Sequence, residues 1–148
     1  RDYYASRGLG DVYKRQDNAF ILVFENLMRD DPINTLYEEA EESDKVTVND
    51  EVKKLVDGVV EHAEELDEKI SAFSKTRSIS RISKINVAVL RIAVYEILYD
   101  DMTPTNAAIS EAVLLSEKYA YKEDTSFVNG VLSSFAKSLS NEETPANV

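Results

Sequence analysis

Few residues of this 148-residue chain could do chemistry, and they are poorly spaced for it. His62 is the single histidine, so a histidine-based triad or a multi-histidine metal site has no support. His62-x-x-Glu65 sets two potential ligands on one helix face, but a two-metal bundle needs further carboxylates at matched positions on facing helices. We read His62 as solvated beside an apolar stripe. Asp30-Asp31 and Asp100-Asp101 stand next to prolines, where acids cap and stop helices rather than share a proton. The glutamates at 38, 39, 41 and 42 read as a solvated helix face. Gly8-Leu9-Gly10-Asp11-Val12-Tyr13 imitates the start of a dinucleotide loop, yet lacks the third glycine and a preceding strand. No catalytic residue, metal site or cofactor is expected.

Three features remain. Arg91 and Glu96 interrupt the apolar stretch Val87–Leu98, and charges in such a helix need opposite charges or helix ends on its neighbours. Second, Ser71 to Tyr95 contains no acid but holds Lys75, Arg77, Arg81, Lys84 and Arg91, a segment able to attract phosphate or an acidic surface. Third, Ser126-Phe127-Val128-Asn129-Gly130-Val131-Leu132 places a glycine inside a helix, at a cost of about 1 kcal/mol against alanine. The usual reason is close approach of another helix or a ligand, so Gly130 reads first as a packing residue. Asn129 beside it could bond a backbone or a base edge.

Helices must position these residues. Phe20, Val23, Phe24, Leu27 and Met28 form one stripe, ending at Asp30-Asp31-Pro32. Asp31 caps a second helix with Pro32 in its first turn and Ile33, Leu36, Tyr37 and Ala40 inward. Thr47-x-x-Asp50 resembles a capping box ahead of one long stripe from Val52 to Phe73. A Ser-rich bend to Ser83 leads to the apolar central helix, which stops before Pro104. A helix with Ala108, Ile109, Ala112, Val113 and Leu115 inward ends near Tyr121. The last, capped by Asp124 or Thr125, turns Phe127, Val128, Val131, Leu132, Phe135 and Leu139 inward. The chain reads as all-α, with six or seven helices.

Composition narrows the class. Four glycines and three prolines leave few turns for a many-stranded sheet, and the absence of cysteine removes disulfide scaffolds and thiolate metal sites. A formal charge of −11 opposes loose, salt-driven binding to nucleic acid, so any such contact must be local. No apolar run reaches the roughly 18 residues that span a bilayer; no membrane contact and a cytoplasmic location are expected. Residues 1–16 lack a helical apolar period and read as foreign to the domain, an artefactual or disordered segment. The domain is placed at 17–139, with 140–148 a polar tail.

Leu90–Leu98 (LRIAVYEIL), Thr103–Tyr119 (TPTNAAISEAVLLSEKY) and Ser126–Leu132 (SFVNGVL) resemble, in order and spacing, the bacterial NusB transcription antitermination factors. Asn18–Leu27 (NAFILVFENL) is similar to the family's first helix. The resemblance implies two small helical bundles packed crosswise and an RNA-binding adaptor rather than an enzyme. It implies NusE, a small-subunit ribosomal protein, as partner and the single-stranded boxA element of nascent ribosomal RNA transcripts as ligand. Other Nus factors and RNA polymerase would be engaged indirectly. By the resemblance, Phe127 and Asn129 lie at the RNA surface with Lys118 and Lys122 near phosphate; the competing view keeps Phe127 in the core. Family members usually begin with an arginine-rich segment that contacts RNA. Here Lys14 and Arg15 are the cations standing in that place, and weak RNA binding by the chain alone is expected. The runner-up function is an acidic helical protein-interaction module that never touches RNA.

Overall fold

The computed structural model describes residues 9–143, with side chains described for 14–140. Seven α-helices make up the fold, and the described residues contain no strand. They are α1 (Leu9–Met28), α2 (Ile33–Ser43), α3 (Asp50–Glu61), α4 (Ala63–Phe73), α5 (Lys84–Tyr99), α6 (Thr105–Tyr119) and α7 (Thr125–Glu143). Short 3₁₀ turns at Ile79–Arg81 and Lys122–Asp124 precede α5 and α7. One group of helices packs α1 against α2 and α3, and a second packs α4, α5, α6 and α7. Contacts of α1 with α5 and α6, and of α3 with α5, join the two groups. None of these helices is long and apolar enough to cross a membrane.

At the centre is α5. It buries Val87, Ala88, Val89, Leu90, Ile92, Ala93 and Val94 and touches α1, α3, α4, α6 and α7, as an all-round apolar helix must. Ser83 caps it by accepting the Asn86 N–H at 3.2 Å. The two charges within its apolar stretch, Arg91 and Glu96, each meet an opposite charge on a neighbouring helix. Arg91 grips Asp67 of α4 through Nε and Nη2 at 2.8 and 2.7 Å, and Glu96, fully buried, meets Arg15 of α1. The fork geometry of the first pair is the strongest form such a contact takes.

Several boundaries differ from the sequence reading, each for a local reason. The boundary expected at residue 17 falls inside α1, which begins at Leu9. Arg15 and Gln16 at the end of this stretch are polar residues held by the buried Glu96, which an apolar period does not reveal. The dinucleotide-like fragment is therefore helix from Leu9 onward; Gly8, like the chain before it and beyond 143, lies outside the described residues. The helix expected to end at Leu139 continues to Glu143. Asp31 does not cap α2; Pro32 occupies the cap position, and Asp31 pairs with Arg29 at 2.5 Å. Asn49, not Thr47, caps α3 by accepting the Val52 N–H at 2.8 Å, while the Thr47 N–H donates to Asn18 Oδ1 at 3.2 Å. Asn49 stands immediately before the first helical residue, where an N-cap acceptor belongs.

The long stripe from Val52 to Phe73 is broken once, at His62, whose φ of −102° and ψ of 18° leave the helix. His62 is not simply solvated. Its Nδ1–H donates to Gly58 O at 2.8 Å, and its ring lies 5.7 Å from Tyr95 and 4.8 Å from Tyr99 between centroids. Gly58 is what lets α3 come this close to α5: a Cβ there would stand 2.2 Å from Cζ of Tyr95. Gly58→Ala should destabilise the fold by about 1–3 kcal/mol, because the ring must swing off its aromatic neighbours. In a Tyr95→Ala background the same change should instead stabilise by up to about 1 kcal/mol through helix propensity. A double-mutant cycle by urea unfolding reads both signs.

Candidate functional site

The end of α6, the turn Lys122–Asp124 and the start of α7 carry four of the nominated residues, Lys118, Lys122, Phe127 and Asn129, while Lys14 and Arg15 stand on α1. Asn129 and Gly130 are exposed, and Phe127 is half-buried, so it is neither a sealed core residue nor free. The Arg77 guanidinium lies over the Phe127 ring, 4.3 Å from its centroid, a close cation–π distance. Arg77 Nη1 also faces Asp124 Oδ1 at 3.5 Å. The other Asp124 oxygen accepts from Asn86 Nδ2 at 3.0 Å, and Asn86 Oδ1 accepts from the buried Ser116 hydroxyl at 2.8 Å. Asp124 thus ties α5, α6, α7 and the α4–α5 connector together. Lys122 is exposed on the same turn, and its carbonyl accepts from the Thr125 hydroxyl at 2.9 Å.

Gly130 corrects the packing reading. A Cβ added there meets nothing within 4 Å, so among the described residues no other helix approaches it.

Lys118 is exposed but engaged. Its Nζ lies 3.2 Å from Asp17 Oδ2 and 5.0 Å from the Tyr119 ring centroid. Hydrogen bonding to Tyr119 and Asp17 holds its ammonium above the ordinary lysine value. The Tyr119 hydroxyl donates to Asp17 Oδ1 at 2.8 Å, and its ring stacks on Phe20 at 4.7 Å, which stacks on Phe24 at 5.8 Å. A ladder of rings therefore runs from α6 along α1. Tyr119 and Asp17 were not singled out from sequence, although Tyr119 closes one of the family-like motifs.

Among the nominated cations Arg15 has the most acidic partners. Its Nη2 reaches Glu96 Oε2 at 2.9 Å, Asp100 Oδ2 at 2.8 Å and Thr103 Oγ1 at 2.7 Å. Gln16 Nε2 donates to the second Glu96 oxygen. Arg15 therefore clamps the first half of α1 to the end of α5 and the turn that follows. Lys14, one residue earlier, is exposed, its carbonyl accepting from Asn18 Nδ2 at 3.0 Å. One guanidinium serves two carboxylates here. Burial of Glu96, outweighing the attraction of Arg15, pushes its carboxyl up to about 7. Asp100, which is partly exposed, also feels desolvation, but its bonds from Thr103, the Met102 N–H and Arg15 outweigh that and hold it below the ordinary carboxylate value. Among the described residues no group of three His, Cys, Asp or Glu side chains is placed to hold a metal ion.

The sequence pattern described as the NusB family matches residues 7–137. The chain belongs to the NusB family. The transcription antitermination protein NusB of Pseudothermotoga lettingae is similar at 35% identity over 131 residues, which covers 88% of this chain and 94% of that protein. The transcription antitermination protein NusB of Ruminiclostridium cellulolyticum is similar at 41% over 121 residues, 80% of this chain and 81% of that one. Among solved structures, a chain of the antitermination factors NusB and NusE in complex with dsRNA aligns with a TM-score of 0.74 and 31% identity. That alignment covers 85% of this chain and 96% of the other. The NusB-family match begins ahead of residue 17, in keeping with the early start of α1.

Proposed function

We propose that this chain is a non-catalytic transcription antitermination adaptor that holds single-stranded, boxA-type RNA of nascent ribosomal RNA transcripts together with NusE. Other Nus factors and RNA polymerase are then reached through that assembly. Family membership supports the role. The observation that carries the RNA face is the start of α7, where Phe127, Asn129 and an unpacked Gly130 stand beside Lys122 and Arg77. Single-stranded RNA recognition combines base stacking on aromatic side chains with local positive charge, and the half-buried Phe127 ring beside Arg77 offers both. Tyr119 and the Lys118–Asp17 pair extend this face toward α1 and Lys14. The engagement of Arg15 with Glu96 and Asp100 leaves little mobile positive charge at the start of α1, which favours weak binding without a partner.

Fluorescence anisotropy with a labelled boxA-type RNA, single-stranded and as a duplex of the same sequence, tests this reading with and without NusE. The single strand should bind weakly alone and roughly tenfold or more tighter with NusE, a gain of about 1.4 kcal/mol. Its salt slope should be steep. NusE binding with no RNA binding would make the chain a protein-only module. Tight RNA binding without NusE at physiological salt would contradict the account of Arg15.

A further inference from the structure

The basic segment of the sequence has a definite place in the fold. From Ser71 to Tyr95 the chain carries no acid in a protein of net charge −11, and the α4–α5 connector occupies the middle of that segment. The connector is anchored from within: Ser74 and Ile82 are buried, and the Ser74 hydroxyl donates to Arg77 O at 2.5 Å. Lys75, Arg81 and Lys84 are exposed along it. Arg77 joins this strip to the Phe127 ring and to Asp124, and Asn86 joins the first turn of α5 to the same carboxylate. Lys75 stands two residues from Arg77, and Lys84 two residues from Asn86. At 3.8 Å per Cα step, both lie within about 8 Å of chain tied to the Phe127 site.

Resting on the RNA-binding reading above, we infer that the α4–α5 connector carries the RNA strand onward from Phe127, with Lys75, Arg81 and Lys84 holding backbone phosphates and Arg77 linking stack to strip. The exposed acid at this edge is Glu123; Asp124 has both oxygens occupied. A planar guanidinium on an aromatic ring, followed by a run of cations, is the alternation of stacking and charge that single strands use. An acidic protein would be met by the charges alone and would leave the Arg77–Phe127 pair without a role.

The test is a salt titration of single-stranded RNA affinity in the presence of NusE, using two variants of the full chain. The triple variant Lys75→Gln, Arg81→Gln, Lys84→Gln alters three exposed side chains, so melting should be unchanged. Its plot of log affinity against log salt should be shallower by about 2, from roughly 0.7 per phosphate for single strands. Arg77→Lys keeps charge but loses the planar stack, and should weaken binding roughly fivefold with the slope retained. An unchanged slope in the triple variant, while Phe127→Ala still weakens RNA binding, overturns the inference and leaves the function standing. Loss of NusE capture with an unchanged RNA slope makes the strip a protein contact and also overturns it. If the parent binds no RNA at all, the function and the strip fall together.

Discussion

Replacing Glu96 with alanine is expected to lower stability by about 3 kcal/mol, the sum of a cavity in the core and a buried amide left without its acceptor. For a chain of this size that is a fall in melting temperature of roughly 10 °C. Glu96 is fully buried, accepts from both Arg15 and Gln16, and fastens the first half of α1 to α5. Glu96→Gln keeps the volume and should cost much less. It should also remove a pH dependence. The carboxyl has an ordinary value of 4.5 and is pushed up to about 7 in the fold by burial. The folded state therefore holds a proton that the unfolded state has released between those values. Parent stability, relative to Glu96→Gln, should fall as pH rises from about 4.5 to about 7 and then level off, by on the order of a few kcal/mol. Asp100 acts in the opposite direction and lower window: its depressed value gives stability that is lost as pH drops below the ordinary aspartate range. Chemical denaturation of both proteins at a series of pH values measures this, and a difference that does not change with pH would contradict the buried-carboxyl account.

The second large effect is at Phe127. A base stacked on an aromatic side chain is worth roughly 1–3 kcal/mol, so Phe127→Ala should weaken RNA binding by roughly 5- to 100-fold. Because the ring is half-buried against the core, alanine should also cost stability, and that variant alone would mix the two roles. Phe127→Leu separates them. Leucine keeps most of the apolar contact, at under about 1.5 kcal/mol, but has no π face for a base or for Arg77. Weakened RNA binding with near-parent melting in the leucine variant assigns the ring to recognition. Parent affinity in the leucine variant assigns it to packing.

Much of the fold was legible because it rests on apolar spacing. Val87 to Leu98 could only be a surrounded helix, and Val52 to Phe73 could only be helical. The break at His62 was not legible, since the spacing of apolar residues runs straight through it. The beginning of α1 was misjudged for a different reason. Arg15 and Gln16 fell in the segment set aside as foreign, and only the fold shows that Glu96, 80 residues beyond Gln16, is the buried partner that holds both. Charge counting pointed to the connector as a cation source, but which cation lies on Phe127 depends on how the connector returns past α7. Gly130 shows the limit of propensity: its cost in a helix was visible, whereas the open space beside it is a property of the folded surface.

Recognition on the outside of a rigid helical platform, at the α6–α7 end, is the claim on which the rest depends. Photo-crosslinking of a boxA-type single strand carrying 4-thiouridine, in the presence of NusE, locates the contact directly. Crosslinked peptides should fall within residues 118–130, with Phe127 the principal site and residues 75–84 beside it. Crosslinks confined to the acidic helices α2 and α3, with none at α7, would contradict the account.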